Sequence, residues 1–210
     1  MKNEYYGPNY ACVREEFRVF KRKKIRKYVK NIAITLGGVD KDNNVLKILS
    51  VIRKFKLLEN VKIKIILGLG YKQKKKLLGL TNKMNSLNHK IEIVEKVDLL
   101  SKHLIDCDFV ITANGRTVFE IASLNIPIIS LSVNKREQQH NFVKKFDVGY
   151  HLDFSKNTAN ELKNSIKSMM NFSIRNKKIK NLEKQNLRKG NSRVISKIMS
   201  EFELTKFSAA

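Results

Sequence analysis

The turn Asn114-Gly115-Arg116-Thr117 joins an apolar run, 109–112, to a segment with helical periodicity, 117–124. A glycine in such a turn removes the side chain where a ligand would press against the backbone. Thr117 begins the helix, so its amide and hydroxyl could face an anion, and Arg116 could clamp a phosphate. These residue types in this order predict an anion-binding turn at the end of a strand.

Glu120 follows Thr117 by three residues and has two interpretations. The pattern Thr-x-x-Glu is a capping box, in which the carboxylate reaches back to the backbone at the start of the helix. The same carboxylate could instead hold two ribose hydroxyls in a bidentate grip. Local physics favours the helix cap and the ligand site about equally, and both interpretations are consistent with the sequence.

Two further stretches carry ligand chemistry. Gly37-Gly38 stand between the first convincing strand and a helix, so their amides could approach a phosphate closely, although an ordinary tight turn would use the same residues. The loop 134–140 gathers polar donors and acceptors after another strand, as a solvated loop would also do. Loops at the carboxyl ends of parallel strands collect ligands, so we expect binding at this edge of the sheet.

The remaining reactive residues form no recognisable catalytic or metal-binding set. The histidines are scattered, and neither Cys12 nor Cys107 has metal-ligand spacing, so the sequence predicts no metal and no cofactor. No Ser/His/Asp, Cys/His or paired-carboxylate arrangement stands out, and no residue is assigned a catalytic role. Two cysteines without a disulfide framework favour a reducing cytoplasm.

Apolar runs alternate with helical segments about six times, which predicts an α/β fold: a Rossmann-like, doubly wound parallel sheet of about six strands. The predicted strands are 31–36, 61–67, 91–94, 109–112, 128–131 and 149–152. Asp40 or Asp42 is expected to cap the helix after the first strand, and Gly190 to break the polar helical region that ends the chain.

Three regions follow from this pattern. Residues 1–30 are predicted to be a connector, with no core element before residue 20 and an exposed basic run at 21–30. Residues 31–190 form the Rossmann-like domain with its extra C-terminal helices, and 191–210 form a last helix and tail. No apolar run approaches the roughly 20 residues of a membrane span, and the first residues lack the apolar region of a signal peptide.

The formal net charge of +24 bears on possible partners. Such a field attracts nucleic acid, anionic membrane surfaces and phosphorylated substrates. The basic residues are mostly lysines spread along the chain, which favours a solvated basic surface. A membrane-facing role ranks second, and nucleic acid is disfavoured because no basic patch with interleaved aromatic residues is present. We therefore expect a cytoplasmic protein, with peripheral contact to the inner membrane face as the alternative.

The order of the motifs resembles the C-terminal half of GT-B glycosyltransferases. The matching features are the Gly-Gly turn, the run 108–111, Asn-Gly-Arg-Thr-x-x-Glu, Asn125-Ile126-Pro127, a Gln-containing loop and Gly149. The resemblance is closest to the branch that holds the UDP-sugar hydrolase of pseudaminic acid biosynthesis and related spore-coat polysaccharide proteins. The segment 7–17 also resembles that branch, where it marks the crossing from the N-terminal domain, so the likeness covers roughly residues 7–152.

The resemblance implies a UDP-sugar ligand and a role for each matching motif. Gly37 and Gly38 would line the cleft beside the diphosphate or sugar, and the backbone from Val94 to Val97 would meet the uracil ring. The diphosphate would be cradled by the turn residues Asn114, Gly115, Arg116 and Thr117. The ribose hydroxyls would bind Glu120. The sugar would face polar residues of the later loop, namely Asn134, Glu137, Gln138 and His140.

The resemblance also implies that part of the machinery lies elsewhere. Family members have two Rossmann-like domains, and the N-terminal one normally brings a Gly-rich loop and a histidine for acid/base chemistry. Only about 30 residues precede the first strand here, so this chain resembles the nucleotide-binding half of a hydrolase or glycosyltransferase, with an N-terminal partner domain expected in trans. The expected pathway is surface polysaccharide or nonulosonic acid biosynthesis. The alternatives are a non-catalytic basic module that binds nucleic acid or an anionic membrane, and an inactive fragment.

Overall fold

A six-stranded, all-parallel sheet forms the scaffold of the protein. The computed structural model describes residues 7–20, 22, 25–154 and 158–207. The strands are β1 (Asn31–Thr35), β2 (Lys62–Ile66), β3 (Lys90–Val94), β4 (Phe109–Ala113), β5 (Ile128–Ser132) and β6 (Gly149–Asp153). Their order across the sheet is β3-β2-β1-β4-β5-β6. The predicted doubly wound α/β fold is confirmed, and every predicted strand forms with its ends shifted by at most one residue.

Helices connect the strands and cover both faces of the sheet. They are α1 (Glu16–Val19), α2 (Asn44–Lys54), α3 (Lys74–Asn85), α4 (Leu100–Leu104), α5 (Thr117–Ser123), α6 (Lys135–Gln138), α7 (Phe142–Lys145), α8 (Ala159–Met170), α9 (Phe172–Gln185) and α10 (Gly190–Phe207), with 3-10 turns at Pro8–Tyr10 and Leu187–Lys189. None of the helices within the described ranges is long and apolar enough to cross a bilayer.

The strands read as continuous apolar runs because both of their faces are buried. In β4, Phe109 and Ile111 join the core that packs against α2, α3 and α8, whereas Val110 points to the opposite core. That second core includes residues of α1, α4, α5, α7 and α9. Each full burial of such a side chain contributes about 1.5–3 kcal/mol relative to exposure.

Local chemistry sets the boundaries of the helices. The predicted cap of α2 is confirmed at Asp40, whose carboxylate accepts the backbone N–H groups of Asn44 and Val45 at 2.8 and 3.0 Å. The predicted break at Gly190 is wrong, because the chain breaks at Asn186, which adopts the left-handed conformation with φ of 47°. Gly190 is helical, and its lack of a side chain allows close approach, since a Cβ there would lie 2.1 Å from the carbonyl oxygen of Ala11.

The segment before β1 contributes to the core, contrary to the sequence prediction. Phe17 is fully buried and Val13 is 4% exposed, and both pack in the core that contains α5. The basic run is also not uniformly exposed, because the Arg22 side chain is 7% exposed and lies 3.8 Å from the buried Asp108 carboxylate. Lys21, Lys23 and Lys24 lie outside the described residues. A fully buried carboxylate needs such partners, which explains why this cation turns inward.

Arg175 joins the C-terminal helices to the segment before β1. Its guanidinium is fully buried and donates to the carbonyl oxygens of Met169, Met170, Arg26 and Lys27 at 2.7–3.0 Å. A buried cation is tolerated only where hydrogen bonds replace the lost water. Arg175 therefore fixes α9 against the chain that enters β1.

Replacing Arg175 with methionine keeps most of the volume and removes all four donors. We expect Arg175→Met to lower the free energy of unfolding by about 3 kcal/mol, because buried carbonyl groups lose their partners. Denaturant unfolding measures this change. Arg53→Met, at an exposed position on α2, serves as the control and should change stability by less than about 0.5 kcal/mol. Equal stability of the two variants would contradict the assignment.

Candidate functional site

The central crevice of the sheet lies between β1 and β4. These strands are neighbours, with Thr35 opposite Thr112, although β2 and β3 intervene in the sequence. The chain leaves β1 toward α2 on one face and leaves β4 toward α5 on the other face. The loops after the two strands therefore diverge, and a crevice opens at their carboxyl ends, where ligands bind in open α/β sheets.

A cleft of about 360 Å³ occupies this position and unites residues from three predicted motifs. Gly37, Val97 and Thr117 line it. Gly38 is exposed on the same loop as Gly37, and the half-buried Val94 ends β3 and packs against the core below. Sequence reasoning missed several lining residues, among them Arg14, Thr35 and Asp98.

The glycine loop is held by a second pair of glycines after β2. A Cβ at Gly68 would lie 2.4 Å from both the carbonyl oxygen of Gly37 and the Cα of Gly38. The backbone N–H of Gly70 donates to the carbonyl oxygen of Gly38 at 2.9 Å. Gly37 itself has φ of +80°, which side-chain-bearing residues rarely adopt. The turn is therefore a fixed wall of the cleft.

Glu120 pairs with Arg14 in this structure and caps no helix. Arg14 Nε donates to Glu120 Oε1 at 2.7 Å, and Arg14 Nη2 donates to Oε2 at 3.3 Å. This hydrogen bond raises the pKa of the Arg14 guanidinium. The capping-box interpretation is wrong because the N-cap is Arg116, which places Glu120 at the fourth helical position, one residue beyond the third position that a capping box requires.

Asn114 uses its side chain to tie two loops together. Its amide nitrogen donates to the carbonyl oxygens of Glu137 and His140 at 2.7 and 2.8 Å, with Ser132 Oγ at 3.4 Å. The residue is only 2% exposed. In this structure its side chain therefore supports the turn that precedes α5, while Gly115 is half-buried and Arg116 is exposed.

The predicted sugar loop folds as a capped helical turn. The Asn134 side chain accepts the backbone N–H of Glu137 at 2.9 Å, and Glu137 Oε2 accepts that of Val133 at 3.0 Å. These two bonds closely resemble a capping box, the arrangement that the sequence suggested at 117–120. Gln138 donates to Asp153 at 3.0 Å.

His140 is exposed, and its Nδ1 lies 2.9 Å from the carbonyl oxygen of Asn114. A carbonyl oxygen only accepts, so Nδ1 carries the proton and donates it. The loop and the turn at 114–117 are therefore bonded in both directions.

The remaining reactive groups are far less suited to chemistry. Burial raises the pKa of the Cys107 thiol to about 12, so the group stays protonated and unreactive near neutral pH. Within the described residues, no group of three His, Cys, Asp or Glu side chains could hold a metal ion. The cleft instead combines the backbone of the glycine loop with the charged side chains of Arg14, Lys96 and Asp98.

Comparison with known proteins places this cleft in a wider context. No protein-family model matches the sequence. A curated relative, an uncharacterized protein of Methanocaldococcus jannaschii, is 32% identical over 147 residues, which cover 67% of this chain and 30% of the relative. MurG of Acinetobacter baumannii superposes with a TM-score of 0.67 at 20% identity, over 87% of this chain and 52% of MurG. The chain has the fold of a GT-B half-domain.

Other solved structures share this GT-B half. WaaG, a glycosyltransferase involved in lipopolysaccharide biosynthesis, matches with a TM-score of 0.60 at 13% identity, over 90% of this chain and 53% of WaaG. Os79 from O. sativa, crystallised with UDP and deoxynivalenol-3-glucoside, matches with a TM-score of 0.61 at 9% identity, over 82% of this chain and 42% of Os79. The chain thus spans about half the length of MurG and WaaG and under a third of the archaeal relative.

The tie made by Asn114 generates a prediction about the loop 134–140. Asn114→Ala removes two donated hydrogen bonds, each worth about 1 kcal/mol, so backbone hydrogen exchange in this loop should accelerate by about tenfold or more. Exchange in β2 should not change. Asn82→Ala, at an exposed position on α3, is the matched control. Unchanged exchange at 134–140 in the Asn114 variant would show that the tie does not hold the loop.

Proposed function

We propose that this chain is the UDP-sugar-binding half of a nucleotide-sugar hydrolase or glycosyltransferase that acts in surface polysaccharide or nonulosonic acid biosynthesis. One observation carries the proposal: the glycine loop after β1, the backbone after β3 and the start of α5 meet at one cleft at the β1/β4 crevice. Separate stretches of sequence suggested these three sites, and the fold unites them.

The diphosphate would sit against the backbone of the glycine loop. Gly37 and Gly38 present no side chains, and their position is fixed by Gly68 and Gly70. Backbone N–H groups bind phosphate oxygens well where nothing blocks close approach. The hydroxyl of Thr117 and the exposed Arg116 would add donors from the opposite wall, and the loop 134–140 would face the sugar.

The ribose would compete with Arg14 for the carboxylate of Glu120. Arg14 is 53% exposed at its side chain and reaches Glu120 through one short and one longer hydrogen bond. An exposed ion pair of this kind contributes about 0–1 kcal/mol, so a well-placed pair of ribose hydroxyls could displace it. The backbone beside Val97 would then meet the uracil ring.

The acid/base group belongs, in this proposal, to a second Rossmann-like half that would act in trans. The support is the length of the solved relatives, since about half of MurG and of WaaG lies outside the matched region. The catalytic step would then require both halves, while donor binding would be measurable on this chain.

The Glu120 assignment can be tested by comparing UDP with inorganic diphosphate. Glu120→Ala should weaken UDP binding by about tenfold, because the ribose loses two hydrogen bonds to a charged group. Diphosphate binding should stay equal or strengthen, because the edge of the cleft loses a negative charge while Arg14, which also pairs with Glu16 at 2.9 Å, stays in the lining. Isothermal titration calorimetry provides both constants, and Glu183→Ala, exposed on α9, is the control.

Three results would contradict the proposal. An equal loss for UDP and diphosphate would remove Glu120 from the ribose site. Binding that depends steeply on salt without preference for UDP would favour a basic module for nucleic acid or an anionic membrane. The absence of heat with UDP, with and without an N-terminal partner domain, would indicate an inactive fragment.

A further inference from the structure

Arg14 brings the segment before β1 into the wall of the cleft. The same cleft is lined by Gly37 and Thr117, which the proposed function places beside the diphosphate. The Arg14 side chain is 53% exposed, so a ligand in the cleft can reach it. An arginine is well suited to a phosphate, because its planar group can donate two parallel hydrogen bonds. The contacts that already hold the guanidinium decide whether it can serve in this way.

Two of these contacts come from residues that are close to Arg14 in the chain. Arg14 Nη1 lies 2.9 Å from Glu16 Oε1, and the guanidinium carbon lies 5.1 Å from the centroid of the Phe17 ring. A guanidinium over an aromatic ring is attracted by the negative face of the ring. Both partners are anchored, since Phe17 is fully buried and the Glu16 side chain is only 6% exposed.

Glu16 also attaches this segment to the loop after β3. Its second carboxylate oxygen, Oε2, accepts the backbone N–H of Ser101 at 2.7 Å. Ser101 directly follows the stretch that lines the cleft with residues 96–98 and Leu100. The carboxylate that holds Arg14 is therefore bonded to the part of the cleft where the base would lie. This attachment keeps Arg14 at the cleft independently of α5.

The contact with Glu120 on α5 is of a different kind, because it joins segments that are 106 positions apart in the chain. Glu120 accepts from Arg14 Nε at 2.7 Å and from Nη2 at 3.3 Å. An ion pair with a water-facing partner contributes little to stability. A ligand that offers hydroxyl groups to Glu120 can therefore take this carboxylate while the contacts with Glu16 and Phe17 persist.

The loss of Glu120 would leave hydrogen-bond donors of Arg14 unused. The N–H groups of Nε and Nη2 that now face Glu120 would need a new acceptor, since an unpaired donor of a charged group is costly. In a nucleoside diphosphate, the phosphate joined to the ribose lies next to the hydroxyl groups that would occupy Glu120. Its oxygens match the fork of an arginine as well as a carboxylate does.

We propose that Arg14 exchanges the Glu120 carboxylate for a phosphate of the bound nucleotide, while Glu16 and Phe17 keep its side chain at the cleft. The ribose replaces Arg14 on Glu120, and the phosphate replaces Glu120 on Arg14. A single ligand thus satisfies both members of the separated pair. The segment before β1 thereby supplies a residue that binds the ligand. The identity of the ligand rests on the proposed function.

Arg14→Met tests this exchange by comparing UDP with uridine, which lacks the phosphates. The affinity for UDP should fall by about tenfold or more, because the phosphate loses charged donors. The affinity for uridine should stay equal or rise, because Glu120 no longer has a competing partner. Amide NMR titrations measure both constants. Arg18→Met is the matched control, because it removes another arginine of the same segment, one that pairs with Glu15 outside the cleft, and it should leave the ratio of the two affinities unchanged.

A second comparison separates contact with the phosphate from support of Glu120. In the Glu120→Ala chain, Arg14→Met should still weaken the binding of inorganic diphosphate by about tenfold, because the anion contacts Arg14 itself. No loss in that background would show that Arg14 acts only through Glu120, and this result would overturn the inference.

The remaining outcomes distinguish this inference from the proposed function. An equal loss for UDP and uridine in Arg14→Met, or the same change of the ratio in Arg18→Met, would overturn the inference. An unchanged ratio in Arg14→Met, with normal binding by the wild type, would overturn the inference and leave the proposed function intact. Failure of the wild type to bind either UDP or uridine would contradict both.

Discussion

The adjacency of β1 and β4 is the constraint on which the candidate site depends. Strands distant in sequence become neighbours because the chain crosses back over β1 after building β2 and β3. Their loops then depart to opposite faces, and the crevice between them needs no specialised element. Gly37 and Thr117 face one cleft for this reason alone, which explains why two weak local signals become a strong one when the fold unites them.

Much of the polar chemistry around this cleft supports the backbone. Asn114, Asn134 and Glu137 are all plausible ligand residues by type, yet their side chains bond to neighbouring loops in this structure. The same amide or carboxylate side chain can bind a ligand or hydrogen-bond to the backbone of a loop. Residue type alone therefore does not distinguish the two roles. Arg14 and Glu120 differ, because their pair is partly exposed at the edge of the cleft and can exchange partners.

The sequence predicted the sheet well because its strands are buried on both faces and read as apolar runs between clear breaks. It also predicted a cap at Asp40 or Asp42, because a helix cap depends on residues a few positions away, and Asp40 forms it. The capping box failed by a single residue, since the box requires Thr117 as the N-cap, whereas Thr117 is the first helical residue and Arg116 is the N-cap. The burial of Phe17 and Arg175 and the pairing of Arg14 with Glu120 were not predictable, because each depends on partners more than 15 residues away in the chain. The polar residues at the ends of β1 and β5 are visible in the sequence. That they lie side by side follows only from the register of the strands in the sheet.

The proposed function requires UDP to bind at the β1/β4 crevice. The most direct measurement is a titration of the isotopically labelled chain with UDP, followed by amide NMR shifts at physiological salt. Binding at the crevice predicts saturable shifts concentrated at residues 36–39, 94–98 and 114–120, with the amino ends of the strands unaffected. Shifts that spread over the lysine-rich surface without saturation, or a complete absence of shifts at the crevice, would contradict it.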